Sequence, residues 1–162
     1  MPFYLNGKKV IQKTFFNKAC TATDVWLWDR PDLTALPDLP AATRIRVWDC
    51  PALTALPDLP AAVDVHVDNC PRLTALPDLP AAITVWVWNC PGLTTLPGLP
   101  TATTVRVGRC PGLTSLPDLP ATTALGVWDC PGLTTLPYLP AATSVRRENC
   151  PNIKPTSTLH PR

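Results

Sequence analysis

Six cysteines recur at intervals of twenty residues, at Cys50, Cys70, Cys90, Cys110, Cys130 and Cys150, and one short segment carries Asp64, His66 and Asp68 two residues apart. These are the residue types of disulfide, metal and acid–base chemistry. Residues two apart on a strand project from one face but lie nearly 7 Å apart (about 3.4 Å rise each), too far for two of them to bind one ion without bending toward it. Arg44 and Arg46, one period earlier, would repel a cation. A salt-bridged surface is therefore expected at Asp64, His66 and Asp68, and no metal. Stacked copies of the cysteine segment would bring neighbouring Cα atoms within the roughly 4.4–6.8 Å that a disulfide needs. Parallel side chains must tilt to bond, however, and free cysteine is among the most buried residue types. The expectation is a reduced, buried ladder in a reducing compartment, with bridging as the alternative. Cys20 is out of register and is expected to pack in the first coil. No serine, histidine and acid combination, carboxylate pair or phosphate-binding glycine loop stands out, and His160 falls in a tail expected to be loose. The chain is read as non-catalytic, with no cofactor.

The spacing itself points to the elements that hold these residues. Asp-Cys-Pro-Ala-Leu-Thr-Ala-Leu-Pro-Asp-Leu-Pro (49 to 60) has near-copies starting at 69, 89, 109 and 129 and, with arginine in place of cysteine, at 29. Most of the 22 prolines fall in fixed columns of this array. Each twenty-residue row has two halves. The first, such as Thr43-Arg44-Ile45-Arg46-Val47-Trp48, alternates and is rich in β-branched residues, as a half-buried strand does. The second, Leu53 to Pro60, has leucine every third residue and prolines that lack the donor a helix or sheet interior requires. A period of three with proline predicts an extended, polyproline-II-like return. A coil is then one strand, a turn at Cys-Pro, and the return. Stacking the coils aligns about seven strands in one parallel sheet over a continuous leucine interior, a repeat solenoid.

Rows such as Ala42-Thr-Arg-Ile45-Arg-Val47-Trp-Asp-Cys50-Pro-Ala-Leu53 resemble the cysteine variant of the leucine-rich repeat, LxxLxLxxCxxL, with alanine in the first leucine position. The trailing LPxLP resembles the short repeats of secreted bacterial effectors of the YopM and IpaH kind, and the last repeats of plant resistance receptors. The resemblance covers roughly residues 22 to 153 and implies a horseshoe with the sheet on its inner curve and the extended returns on the convex side. It does not bring with it the ubiquitin-ligase activity of the IpaH kind, whose Cys-x-Asp motif has no counterpart here, because every ladder cysteine is followed by proline.

Two strand columns are aliphatic: Val25, Ile45, Val65, Val85, Val105, Leu125 and Val145, and Leu27, Val47, Val67, Val87, Val107 and Val127, the second broken at Arg147. Successive strand side chains face opposite ways, so these columns form the core wall. The intervening columns face outward: Trp26, Arg46, His66, Trp86, Arg106, Gly126, Arg146, and Trp28, Trp48, Asp68, Trp88, Gly108, Trp128, Glu148. All six tryptophans fall in them. Trp26, Trp28 and Trp48 are expected to form one apolar patch and Trp86 with Trp88 a second, with His66 and Asp68 between. Exposed aromatic patches mark interaction sites, and tryptophan and arginine are enriched in binding hot spots. The competing role is cross-strand stabilisation, roughly 0.2–1 kcal/mol per pair. The contrast between uniform inner and varied outer columns favours binding through Trp26, Trp28, Arg46, Trp48, His66, Asp68, Trp86, Trp88, Arg106 and Trp128. A protein partner is expected. Two alternatives stand beside it: a lectin-like face, with Asp29, Asp49, Asn69, Asn89 and Asp129 beside the indoles, and a self-assembling solenoid, a homo-oligomer joined through the tryptophan patches or by coils stacked end to end.

At the ends, residues 1 to 21 carry every phenylalanine and an Asn6-Gly7 hairpin signal, and are expected to cap the array. Their lysines, Lys8, Lys9, Lys13 and Lys18, suggest instead a basic export or contact segment. Arg146, Arg147 and Glu148 make the last strand polar, and residues 154 to 162 are expected to fray. A net charge of +2 with mixed signs argues against nucleic acid or a membrane surface as partner. No signal-like or membrane-spanning run is present in the sequence, so the expected location is cytoplasmic, or outside the cell (a host cell included) by export without a cleaved signal.

Overall fold

A computed structural model describes residues 3–5, 8–10 and 21–154, the first two segments by backbone alone. Cys20, His160 and the tail beyond 154 lie outside the described residues, as does most of the expected cap. The chain is a parallel β-solenoid of about six turns, and the described residues contain no α-helix. Among them no helix is long and apolar enough to cross a membrane.

Nine strands form one sheet in the order β2-β1-β3-β4-β5-β6-β7-β8-β9. Strands β1 (Phe3–Leu5) and β2 (Lys8–Val10) pair antiparallel, and β1 also pairs antiparallel with β3 (Asp24–Trp28) at the edge of the array. From β3 onward all pairing is parallel: β4 (Arg44–Trp48), β5 (Asp64–Asp68), β6 (Thr84–Trp88), β7 (Thr104–Gly108), β8 (Ala124–Trp128) and β9 (Ser144–Glu148). Each pairs with the next at a shift of twenty residues, Val25 with Ile45, Ile45 with Val65 and so on, without a slip. A slip of one residue would turn every aliphatic side chain outward, and this penalty fixes the register.

Proline sets the corners. In each coil the N–H of the residue three beyond cysteine donates back to the cysteine carbonyl, as Leu53 does to Cys50 at 3.1 Å, and a second turn closes with Ala62 donating to Leu59 at 3.2 Å. Pro51 and Pro60 occupy the second position of these turns, where a fixed φ near −65° is favourable and no donor is needed. On the return side the coils also bond directly, Thr54 N–H donating to the Thr34 carbonyl at 3.2 Å and Thr114 to Thr94 at the same distance.

The interior is one cluster built from the two strand columns, the alanine column, the cysteines and the leucines of the returns. Thr122, in the alanine column and the one fully buried polar side chain among the described residues, is satisfied by donating to the Ala102 carbonyl at 2.6 Å. The six ladder cysteines are buried free thiols. Each Sγ lies 3.2–3.4 Å from the carbonyl two residues earlier, at the end of its own strand. Neighbouring thiols and burial push Cys70 and Cys110 up, and burial does the same to Cys150, so these positions are held as neutral, inert thiols. In the last described strand, β9, Arg147 stands in the aliphatic column, exposed, and donates to the Ile153 carbonyl at 3.1 Å. A charged rung denies the next copy an apolar surface.

Candidate functional site

The outward positions of β3–β9 form one sheet face, and the structure places all ten candidate residues on it. Their arrangement differs in two respects from the patches expected. The indoles are mostly half-buried, Trp86 alone being exposed, at 39%. A flat sheet lets a large ring lie down over a small neighbour, and this contact shields it. The pairing differs too. Trp86 packs edge-on against His66, centroids 5.1 Å apart, whereas Trp88 reaches across β7 to Trp128, with centroids 5.8 Å apart.

Glycine permits that second contact. A Cβ on Gly108 would collide with the Trp88 ring, and one on Gly126 with the Trp128 ring. The gaps in the outward columns are thus the seats of the indoles. Arg109 completes the group with its guanidinium 5.9 Å from the Trp88 ring and 3.8 Å from Asp129.

On the other half of the face the groups form a chain across four strands. The Arg46 guanidinium lies 5.4 Å from the Trp26 ring centroid and donates to Asp64 at 3.2 Å. Asp64 also meets His66 Nε2 at 2.9 Å, and His66 meets Trp86. The salt-bridged surface expected from the sequence is thus present at Asp64 and His66, whereas Asp68 makes no ion pair among the described residues. Burial draws His66 below the ordinary histidine range; Asp64 opposes this and Arg46 adds to it. Trp26 Nε1 and Arg46 Nε are buried without an acceptor, an orphaning that costs about 1–3 kcal/mol apiece. Asp68 stands in register between Trp48 and Trp88, and burial pushes its carboxyl up, with the Asp49 charge adding to the effect.

The lowered histidine gives stability a pH dependence of known sign. An unfolded His66 takes its proton near pH ~6.5, the folded one only at lower pH, so between these values the unfolded state holds more protons and stability falls with pH. Urea midpoints taken just above and just below the ordinary histidine range are expected to drop on acidification. In His66→Gln that part of the drop should vanish.

One column beyond the face was not read as structural from the sequence. Asp29, Asp49, Asn69, Asn89, Arg109, Asp129 and Asn149 all have positive φ, between 50° and 54°. Aspartate and asparagine tolerate this conformation, and Arg109 is the strained exception. The amides also bond along the stack: Asn69 donates to Asp49 at 2.6 Å, Asn89 to Asn69 at 2.9 Å and Asn149 to Asp129 at 2.8 Å. Recurrence of aspartate or asparagine at a twenty-residue interval, broken by Arg109, is the signal for it in the sequence. Between this column and the prolines Pro91, Pro111, Pro131 and Pro151 runs a shallow groove of about 940 Å³. Its polar side chains largely hold one another.

Among the described residues no group of three histidine, cysteine, aspartate or glutamate side chains could hold a metal ion. Comparison of the chain with protein-family models, with curated proteins and with solved structures finds no match.

Proposed function

We propose that this chain is a non-catalytic binding module of the leucine-rich-repeat type, a horseshoe with polyproline-II-like returns on its convex side, that grips a protein partner through the outward face of its sheet. One observation carries this reading: all six tryptophans stand outward on a face whose inner columns are aliphatic except at Arg147 and whose outer columns vary from coil to coil. Copied coils need only one choice in an outer column to stack; varied choices suit a particular partner. The raised Asp68 carboxyl and the orphaned donors of Trp26 and Arg46 add support, since they cost the fold stability on this face. If the chain is an exported effector, the partner is a host protein.

The lectin-like alternative draws less support, because Asn69, Asn89 and Asn149 use amide donors within their own ladder. Self-assembly has a distinct readout, a mass in light scattering that rises with concentration. The test of the protein-partner reading is a pull-down comparing wild type with Trp28→Ala and Trp48→Ala, each first shown by circular dichroism to retain the sheet. Loss of specific partners is expected from both, each truncation weakening binding by about 2 kcal/mol or more if it removes a hot spot. Equal recovery of the same partners removes the reading. Fluorescence that responds to oligosaccharides would replace it with the lectin.

A further inference from the structure

The outward face is electrically asymmetric. On β3–β5 its arginines are answered by acids: Arg44 pairs with Asp24 at 3.2 Å and Arg46 with Asp64 at 3.2 Å. On β7–β9 the outward positions hold Arg106 and Arg146 and a single acid, Glu148. Among the described residues neither Arg106 nor Arg146 makes an ion pair or a hydrogen bond.

The register brings these two together. Arg106 pairs with Gly126, and Gly126 with Arg146, so the arginines flank a glycine that has no side chain of its own and is covered by the Trp128 ring. With strands about 4.8 Å apart, their Cα atoms stand roughly 10 Å apart. Beside that ring is a hollow of about 330 Å³, lined by both arginines, Ala124, Gly126, Trp128 and Ser144. Trp128 lies back over Gly126, whose missing Cβ makes room for the ring, and supplies an aromatic wall. Two cations facing one hollow repel each other, and an anion between them converts that repulsion into attraction. Guanidinium groups are suited to oxyanions, which they bind through paired, charge-assisted hydrogen bonds.

We infer that the hollow between Arg106 and Arg146 is an oxyanion subsite of the binding face, which takes the charged end of one acidic side chain on a peptide segment of the partner while the rest of that side chain rests on Trp128. This deepens the protein-partner reading and rests on it. The volume fits one large side chain. The oxyanion has two sources, the carboxylate of glutamate or the phosphoryl group of a phosphorylated tyrosine. Nucleic acid is disfavoured by the isolation of the two arginines on a chain whose net charge is only +2.

The test uses fluorescein-labelled glycine–serine peptides whose central residue is phosphotyrosine, glutamate or tyrosine. Fluorescence anisotropy measures their binding to the full chain and to Arg106→Gln, Arg146→Gln and, as a control for net charge, Arg72→Gln, an exposed position in the turn after Cys70 and outside the strands. At least one charged peptide should bind wild type more tightly than the tyrosine peptide, and less tightly as salt is raised. Arg106→Gln and Arg146→Gln should each weaken it roughly tenfold, with Arg72→Gln unchanged. Whichever charged peptide binds better identifies the source. The subsite is overturned if no charged peptide is preferred, if the two glutamine variants bind as wild type does, or if inorganic phosphate binds there and no peptide does. Its failure is separable from failure of the broader reading: partners lost in Trp28→Ala but retained in Arg106→Gln and Arg146→Gln would remove the subsite alone.

Discussion

Val107→Arg will abolish the cooperative unfolding transition of this protein. Val107 is fully buried in the middle of the stack, in register between Val87 and Val127. A guanidinium there has no partner within the leucine and valine interior, and an uncompensated buried charge costs about 3–5 kcal/mol. Its extra volume adds about 1–3 kcal/mol of overpacking. The sum rivals the whole stability of a domain this size, about 5–15 kcal/mol. Position matters as much as chemistry. The same residue type stands in the same column at Arg147, where the last coil leaves it exposed and the Ile153 carbonyl accepts from it. Because each coil touches only its neighbours, a failed middle coil leaves two short stacks with raw ends. Urea denaturation followed by circular dichroism should show a sloping loss of signal with no midpoint. A transition with wild-type midpoint would show that the aliphatic columns do not carry the fold.

This substitution tests the feature that was most legible in the sequence. Alternation over five residues, repeated at a fixed interval, leaves one arrangement in which every valine column is dry, and the parallel register follows from it. The corners were legible for the same reason, since proline declares its own geometry. Side-chain contacts on the outward face were not. Register puts Trp88 beside Gly108, but a sequence does not say whether an indole stands up into solvent or lies down over the glycine and touches Trp128 beyond it. Nor does it say that Arg46 joins Trp26 to Asp64 and His66 instead of standing alone. These choices depend on rotamers and on which neighbour happens to be small. The asparagine and aspartate column gave a clear compositional signal, yet its cause, a left-handed backbone repeated in every coil, became visible only in the dihedral angles.

The same distinction gives the second large effect, expected in Gly108→Val. A strand tolerates valine well, and the position pairs with Trp88 on one side and Trp128 on the other, so the backbone ladder should survive. The indole will not. A Cβ at Gly108 would occupy the place of the Trp88 ring, and the ring must swing away, breaking its contacts with Trp128 and with the Arg109 guanidinium. Loss of the aromatic pair costs about 0.5–1.5 kcal/mol, offset in part by the better strand residue, so the unfolding midpoint should move little. Near-ultraviolet circular dichroism should change sharply, because coupled indoles give a strong signal and Trp88–Trp128 would be uncoupled. Binding should suffer more than stability: if this aromatic group is a hot spot, its rearrangement should weaken the partner by a hundredfold, or about 2.7 kcal/mol. Gly98→Ala is the matched control, since an added Cβ there meets no atom within 4 Å. If Gly108→Val leaves both spectrum and partner recovery at the level of Gly98→Ala, the indoles do not rest in the glycine seats, and the proposed binding role of this face falls with them.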